Sequence, residues 1–242
     1  MFIGQARGRK LIGELGALGF GEMTQPEEYP PRRHPWALDN GAFKLWRNEL
    51  PFDGERFLSV AERAAEHAPR PTFVVCPDVV AGGLASLALS LAWAPKLAAL
   101  GHRLALVVQD GMRPEDIEPH VGTFAVLFLG GTRSWKLRTA EAWTQFAHSH
   151  DLECHGGRFG SQEAVAVALS IGIDSIDSCL PLFSTGNLGR FVGALAGQPE
   201  PRRGWLGLDM AEDPFVSRPD RKPARVPRMG LRVAYSEQGE MF

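Results

Sequence analysis

The chain has 242 residues, of which 44% are hydrophobic and 22% are charged, and its formal net charge at pH 7 is −2. This length and composition favour one large globular domain and exclude a strongly basic surface overall, so contact with nucleic acid would need a local basic patch. The three cysteines form no C-x-x-C pair, which argues against a disulfide framework and a zinc ribbon.

The predicted strands are short apolar runs, each followed by a polar or glycine-rich turn and a segment of helical periodicity. Continuous apolar runs are typical of parallel strands that are covered on both faces. In chain order, they span residues 2–4, 36–39, 72–76, 104–108, 124–129, 152–155, 173–176 and 205–208. The helical stretch SQEAVAVALSIG illustrates the segments between them, with Ser161 as its predicted N-cap and Gly172 at its end.

Eight β/α units in a chain close to the ~250 residues typical of the fold predict a TIM-type (β/α)8 barrel over residues 1–217. An open, doubly wound parallel sheet has the same alternation and stays the alternative. Residues 218–242 are rich in Pro and Arg, and we expect them to form an irregular tail that packs on the barrel or is partly mobile.

The sequence also predicts a soluble, cytoplasmic protein without a cofactor. Residues 1–11 contain no apolar signal-peptide core, and no segment approaches the roughly 20 apolar residues that a membrane span needs. The cysteines suit a reducing compartment and lack the spacing of metal ligands, so we expect no bound metal.

Polar residues and glycines collect at the carboxyl ends of the predicted strands, where a barrel of this kind places its chemistry. The segments are Asp39-Asn40-Gly41-Ala42-Phe43, Pro77-Asp78, Gln109-Asp110-Gly111, Gly130-Gly131-Thr132, His155-Gly156-Gly157-Arg158 and Asp177-Ser178. Each has an ordinary explanation by itself, because an Asp after a strand is often a helix N-cap. Their convergence at successive strand ends favours a functional site.

Four of these segments resemble motifs of the tRNA-guanine transglycosylase family. LDNGAF is similar to the family's DSGGFQ motif, LVVQDGM to its VQGG stretch, and LFLGGT to its glycine-rich strand end. GIDSIDSCLP is similar to GIDMFDCVLP, the segment that carries the family's nucleophile. The order of the motifs is the same, and the similarity spans roughly residues 36–181. The chain resembles in particular the short phage-type members, which are linked to placing 7-deazaguanines in DNA.

The resemblance implies that Asp177 is the nucleophile and Asp39 the acid/base. It also implies that the base is held by Asp78, Gln109, Gly130, Gly131 and Phe43. The residue types suit this chemistry, because one carboxylate can trap the oxocarbenium-like sugar while a second moves the proton. An Asp, a Gln amide and backbone N–H groups together offer both hydrogen-bond polarities to a base.

The chain departs from the tRNA enzymes of the family at three points. No cysteine cluster follows Cys179, so we expect no structural zinc. Leu182 and Phe183 replace the TR dipeptide that the tRNA enzymes have directly after the LP of the nucleophile segment. Asn40 and Ala42 stand where the tRNA enzymes have Ser and Gly. We therefore expect DNA as the partner, as a single strand or with the target nucleotide flipped out of the duplex.

The predicted nucleic-acid contacts combine basic side chains with an aromatic ring, which suits backbone tracking and base stacking. They are Arg133, Trp135, Lys136, Arg138, His155 and Arg158, with further arginines in residues 202–203 and 218–232. A free 7-deazaguanine base is expected as a second substrate if the enzyme exchanges bases.

Three hypotheses about function stay open. The first is an enzyme that cleaves the base–sugar bond of DNA through Asp177, with Asp174 as a structural carboxylate. It would either exchange the base for a 7-deazaguanine or leave an abasic site, in DNA modification or in defence against modified phage DNA. The second is a barrel that binds modified bases or nucleic acid without turnover. The third is a small-molecule barrel enzyme that uses Gly130 and Gly131 as a phosphate nest.

Overall fold

The computed structural model describes residues 1–197 and Phe215. Eight parallel strands close into a barrel in chain order, and β8 pairs with β1 through Phe2 and Asp177. The strands are β1 (Phe2–Gly4), β2 (Gly21–Thr24), β3 (Trp36–Leu38), β4 (Val74–Val75), β5 (Leu104–Val108), β6 (Val126–Leu129), β7 (Glu153–Gly156) and β8 (Ser175–Ser178). The predicted (β/α)8 barrel is confirmed, and the open sheet is excluded because the barrel has no free edge.

The described residues form eight helices around the barrel. These are α1 (Arg9–Ala17), α2 (Ala42–Arg47), α3 (Gly54–Glu66), α4 (Leu84–Ala99), α5 (Pro114–Ile117), α6 (Arg133–Ser149), α7 (Gln162–Ser170) and α8 (Thr185–Gly197). Ser161 caps α7 as predicted, since its side chain accepts a hydrogen bond from the Ala164 N–H at 3.2 Å. Within residues 1–197 and at Phe215, no helix has the length and apolarity required to traverse a membrane.

Alternation along the strands divides the core into an inner and an outer layer. On β5, Ala105 and Val107 lie inside the barrel, whereas Leu104, Leu106 and Val108 belong to the layer under the helices. The inner layer is Phe2, Met23, Ala37, Phe73, Val75, Ala105, Val107 and Val126. Because side chains alternate with a period of two, the same face continues to the residues just beyond the strands, at the carboxyl mouth of the barrel.

Strand β2 was missed by the sequence prediction, because GEMT contains no apolar run. Its Glu22 is fully buried and forms an ion pair with the buried Arg33, with 3.4 Å between Oε2 and Nη1. Glu22 Oε1 accepts hydrogen bonds from the Thr24 hydroxyl and the Arg32 N–H, both at 3.1 Å. The Arg33 guanidinium in turn donates to the Ile3 carbonyl of β1 at 3.1 Å. The pair therefore ties the loop before β3 to the first two strands.

Three predictions for the C-terminal part of the chain fall outside the described residues. These are the strand at 205–208, the tail at 218–242 and the arginines at 202–203 and 218–232. The barrel closes without residues 205–208, because β2 supplies the missing strand. Phe215 packs edge-on against Trp143 of α6, with 5.3 Å between the ring centroids.

Strand β8 begins two residues later than predicted, which separates the two carboxylates of GIDSIDSCLP. Asp177 lies within the strand, and Asp174 precedes it. Asp174 Oδ2 accepts a hydrogen bond from the Cys154 N–H at 2.7 Å and lies 2.9 Å from His148 Nε2. Asp174 thus fastens β7 and α6 at the amino end of β8, as expected for a structural carboxylate.

We expect Arg33→Met to lower the free energy of unfolding by about 3–5 kcal/mol, because it leaves the Glu22 carboxylate buried without its cation. Urea denaturation measures the change. Adding Glu22→Gln should recover part of the loss, and Arg32→Met on the exposed neighbour should cost less than about 1 kcal/mol. An Arg33→Met protein as stable as the parent would show that the pair does not hold β2 in place.

Candidate active site

Asp39 enters the site where β3 turns into α2. Its backbone N–H donates to the Thr24 carbonyl of β2 at 2.9 Å, which continues the sheet to the mouth of the barrel. Gly41 has a φ of 75°, a conformation that favours glycine, and it redirects the chain into α2. The backbone N–H groups of Gly41 and Asn40 act on the Asp39 carboxylate and oppose the rise of its pKa. Asp39 is half-buried and faces the barrel axis, in register with Ala37.

Asp78 is held between two side-chain amides. Asn40 Nδ2 donates to Asp78 Oδ1 at 2.7 Å, and Gln109 Nε2 donates to Asp78 Oδ2 at 2.5 Å. Asn40 and Gln109 are 3% and 2% exposed, so both amides are fixed by packing. Gln109 Oε1 accepts from the Ala81 N–H at 3.0 Å, which leaves its Nε2 directed at Asp78. Strands β3, β4 and β5 thereby contribute to one polar network.

Three carboxylates converge at this mouth of the barrel. Burial, followed by the negative charges of Asp177 and Asp78, raises the pKa of Asp39 to about 7. Burial also raises the pKa of Asp78 to about 6, although the hydrogen bonds from Asn40 and Gln109 oppose the rise. At neutral pH, Asp39 is therefore about half protonated while Asp78 is mostly ionised. Neighbouring carboxylates in different protonation states are typical of acid–base catalysis.

Asp177 accepts hydrogen bonds on both of its oxygens. Oδ2 lies 3.3 Å from His155 Nε2, and Oδ1 accepts from the Arg158 N–H at 3.1 Å. His155 is fully buried, and its Nδ1 lies 2.7 Å from the Ser175 hydroxyl. The two ring nitrogens of His155 thus face the two polar side chains of β8, with Nε2 toward Asp177 and Nδ1 toward Ser175. The Phe128 ring stacks on His155 at a centroid distance of 4.6 Å and fixes its plane.

The two glycines after β6 allow the β5 and β6 loops to approach each other. A Cβ atom on Gly130 would lie 2.9 Å from Gln109 Nε2, and one on Gly131 would lie 2.5 Å from Asp110 Oδ2. Asp110 accepts from the Thr132 N–H at 2.7 Å, so this carboxylate fastens the loop. The Gly130 N–H donates to the Val108 carbonyl at 3.0 Å and is therefore not directed toward a base, contrary to the expectation for that group.

The structure contradicts three of the predicted nucleic-acid contacts. Trp135, Lys136 and His155 are 3%, 7% and 0% exposed, so none of them offers a surface to DNA. The Trp135 ring packs in the outer core near Trp143, with 6.4 Å between centroids. Trp135 and Lys136 belong to a basic and aromatic run that is typical of a surface segment, but the helical phase of α6 turns both side chains inward. His155 lies in β7, and its ring packs against Phe73 and Phe128 inside the barrel.

Arg133 and Arg158 are exposed, and Arg138 is half-buried. The Arg158 guanidinium lies 3.6 Å from the centroid of the Phe43 ring, a cation–π contact that spans the mouth from β7 to α2. Since the Arg158 N–H also binds Asp177, Phe43 and the predicted nucleophile lie on the same side of the barrel. The predicted residues Asp39, Asp78, Gln109, Phe43 and Asp177 are thus brought together.

Sequence reasoning missed two members of this constellation, Asn40 and Ser175. Asn40 directly follows Asp39 in the chain. An amide side chain next to a candidate acid is the signal that the sequence offers for it. Ser175 and the pairing of His155 with Asp177 had no signal in the chain, because the contact joins two strands. Within residues 1–197 and at Phe215, no group of three or more His, Cys, Asp or Glu is arranged to hold a metal ion.

No protein-family model and no curated protein sequence matches the chain.

We expect Asp39→Asn to stabilise the protein at pH 8 by about 1–4 kcal/mol, because it removes a buried charge that two other carboxylates repel. The raised pKa means that the folded state binds more protons than the unfolded state between about pH 4 and pH 7. The stability of the parent should therefore fall as the pH rises through that window, and the advantage of Asp39→Asn should vanish near pH 4.

Urea denaturation at pH 4, 6 and 8 measures this difference. The exposed N-cap variant Asp53→Asn serves as the control and should change the stability by less than about 0.5 kcal/mol, because asparagine also caps helices. An Asp39→Asn protein that is less stable than the parent at pH 8 would contradict the prediction.

Proposed function

We propose that the chain breaks the N-glycosidic bond of a DNA nucleotide, with Asp177 as the nucleophile and Asp39 as the proton donor. We also propose that it belongs to the tRNA-guanine transglycosylase superfamily and acts as a short, phage-type member. The observation that carries the proposal is the contrast between the two carboxylates. Asp177 is held by two hydrogen-bond donors, whereas the setting of Asp39 raises its pKa to about 7.

The contrast supports the following reaction. An oxygen of Asp177 attacks C1′ of the sugar, the C1′–N bond breaks, and its electron pair leaves with the base. The Asp39 carboxyl gives its proton to the departing base, so a neutral base and a glycosyl ester on Asp177 result. A second base or a water molecule then attacks C1′, transfers its proton to Asp39 and restores Asp177. Base exchange and base excision differ only in this acceptor.

The position of Asp78 between two side-chain amides supports the proposal that the site recognises a purine-like base. A guanine-type edge offers N–H donors next to a carbonyl acceptor, and Asp78 with Gln109 offers the complementary acceptor and donor. These two residues are hydrogen-bonded to each other at 2.5 Å, so the base has to share or replace that contact. Phe43 supplies an aromatic face at the same mouth, which Arg158 covers.

The exposed arginines at the mouth support a nucleic-acid substrate. We propose that Arg133 and Arg158 contact phosphates next to the target nucleotide, because they are the exposed members of the predicted basic set. A nucleotide in a duplex has to leave the stack to reach carboxylates at a barrel mouth, so the substrate is single-stranded or flipped DNA. An enzyme that acts on DNA works in a compartment that contains DNA, and we propose the cytoplasm.

We expect Asp177→Asn to lower single-turnover base release by about 10³-fold or more while DNA affinity changes little, because the nucleophilic charge is lost and the shape is kept. Asp39→Asn should lower it by about 10²–10⁴-fold. Asp174→Asn is the control and should lower stability more than turnover. Mass spectrometry of the released bases and nucleosides, with and without a free 7-deazaguanine, measures release and separates exchange from excision. A fully active Asp177→Asn enzyme would overturn the proposed mechanism.

The rate of base release should fall as the pH rises through about 7, because Asp39 has to hold a proton to protonate the leaving base. Single-turnover rates between pH 5.5 and 8.5 test this dependence. The residual rate of Asp39→Asn should lack this fall. A parental rate that increases across pH 7 would show that Asp39 acts as a base in the limiting step.

A further inference from the structure

Lys136 is a buried lysine beside the site, and the proposed reaction gives it no part. It lies in the first turn of α6 and is 7% exposed. Its Nζ donates a hydrogen bond to the Gly157 carbonyl, just beyond β7, and lies 5.4 Å from the centroid of the Phe159 ring. A buried ammonium group is costly unless nearby groups compensate its charge.

The Gly157 carbonyl that Lys136 binds belongs to the same peptide group as the Arg158 N–H. That N–H donates to Asp177 Oδ1 at 3.1 Å. One flat peptide unit therefore connects an ammonium group on its oxygen side with a carboxylate on its nitrogen side.

The Gly157–Arg158 peptide is fixed from two directions. The preceding N–H, that of Gly157, donates to the Leu129 carbonyl of β6 at 3.2 Å. A Cβ atom on Gly157 would clash with the Phe128 ring, so the segment packs directly on the barrel interior. The peptide cannot turn to follow a displaced Asp177, and it therefore acts as a fixed donor.

We propose that Lys136 is a positioning residue for Asp177 and acts through the Gly157–Arg158 peptide. A cation on the carbonyl oxygen polarises the peptide and strengthens its N–H as a donor, because hydrogen bonds in a chain reinforce one another. The stronger donor holds the Asp177 carboxylate in one orientation. The catalytic consequence rests on the proposed function, whereas the contact itself does not.

Charged groups on every neighbouring element act on Lys136. Burial lowers the pKa of Lys136 to about 8, and Arg158 and Arg133 add to that effect, whereas Asp177 and Asp110 oppose it. The lysine is thus mostly protonated at pH 7 and loses its proton as the pH rises through about 8. The polarisation of the peptide should be complete below this pH and weaken above it.

A carbon-detected NMR titration from pH 6.5 to 9.5 tests the contact without any substrate. In the parent, the Gly157 carbonyl carbon and the Arg158 amide nitrogen should shift together with a midpoint near 8. The shift should disappear in Lys136→Met, and in Lys136→Arg because a guanidinium keeps its charge. The exposed-lysine control Lys96→Met should retain it. Absence of a transition near pH 8 in the parent overturns the proposal, even if Lys136→Met does not fold.

Single-turnover base release tests the catalytic consequence. At pH 6.5, Lys136→Met should be slower than the parent by about 10- to 100-fold, with DNA affinity within about twofold, and Lys136→Arg should recover part of the rate. The ratio of the parental rate to the Lys136→Met rate should approach one by pH 9.5. The pH dependence that comes from Asp39 cancels in this ratio, because both proteins contain Asp39. Equal rates at pH 6.5 overturn the positioning role. If the parental protein releases no base, the proposed function is overturned instead. The NMR titration then still tests the contact between Lys136 and the Gly157 carbonyl.

Discussion

The burial of three neighbouring carboxylates at one end of the barrel is the constraint on which the site depends. Asp39, Asp78 and Asp177 occupy the mouth together, and the burial and repulsion that raise the pKa of Asp39 work against the folded state. The fold offsets this with one set of donors for each carboxylate. Asp39 has two backbone N–H groups, Asp78 has two amides, and Asp177 has a buried imidazole and a backbone N–H.

These donors give the carboxylates different environments. Hydrogen bonds from Asn40 and Gln109 oppose the rise in the pKa of Asp78, whereas burial and then the charges of Asp177 and Asp78 raise the pKa of Asp39 to about 7. In the reaction that we propose, the same burial that costs stability supplies an acid beside a nucleophile. Lys136 adds a cation next to the site, where it binds the Gly157 carbonyl of the peptide whose N–H donates to Asp177.

The rest of the barrel explains how these groups come to face each other. Small residues at the mouth let loops approach closely, as Gly130 does beside Gln109. Below the mouth, the Phe73 ring just before β4 and the Phe128 ring of β6 pack on His155. The Glu22–Arg33 pair holds the loop that leads into β3, and hence the start of the segment that carries Asp39. The stability of the fold and the geometry of the site are linked because both depend on buried charges having partners.

The sequence by itself determined the alternation of strands and helices and predicted the strand ends at which Asp39, Asp78, Gln109 and Asp177 would meet, because period and apolar burial are local properties of a chain. The choice between a closed barrel and an open sheet depends on which strands pair at the ends of the sheet, and the tertiary structure decided it. Only the tertiary structure decided the partners of those groups. Strand β2, the Glu22–Arg33 pair, the contact of His155 with Asp177 and the burial of Trp135 and Lys136 depend on residues brought together from separate elements. In the sequence, a residue whose charge will be buried cannot be told from any other polar residue. The group that compensates its charge comes close to it only when the barrel closes.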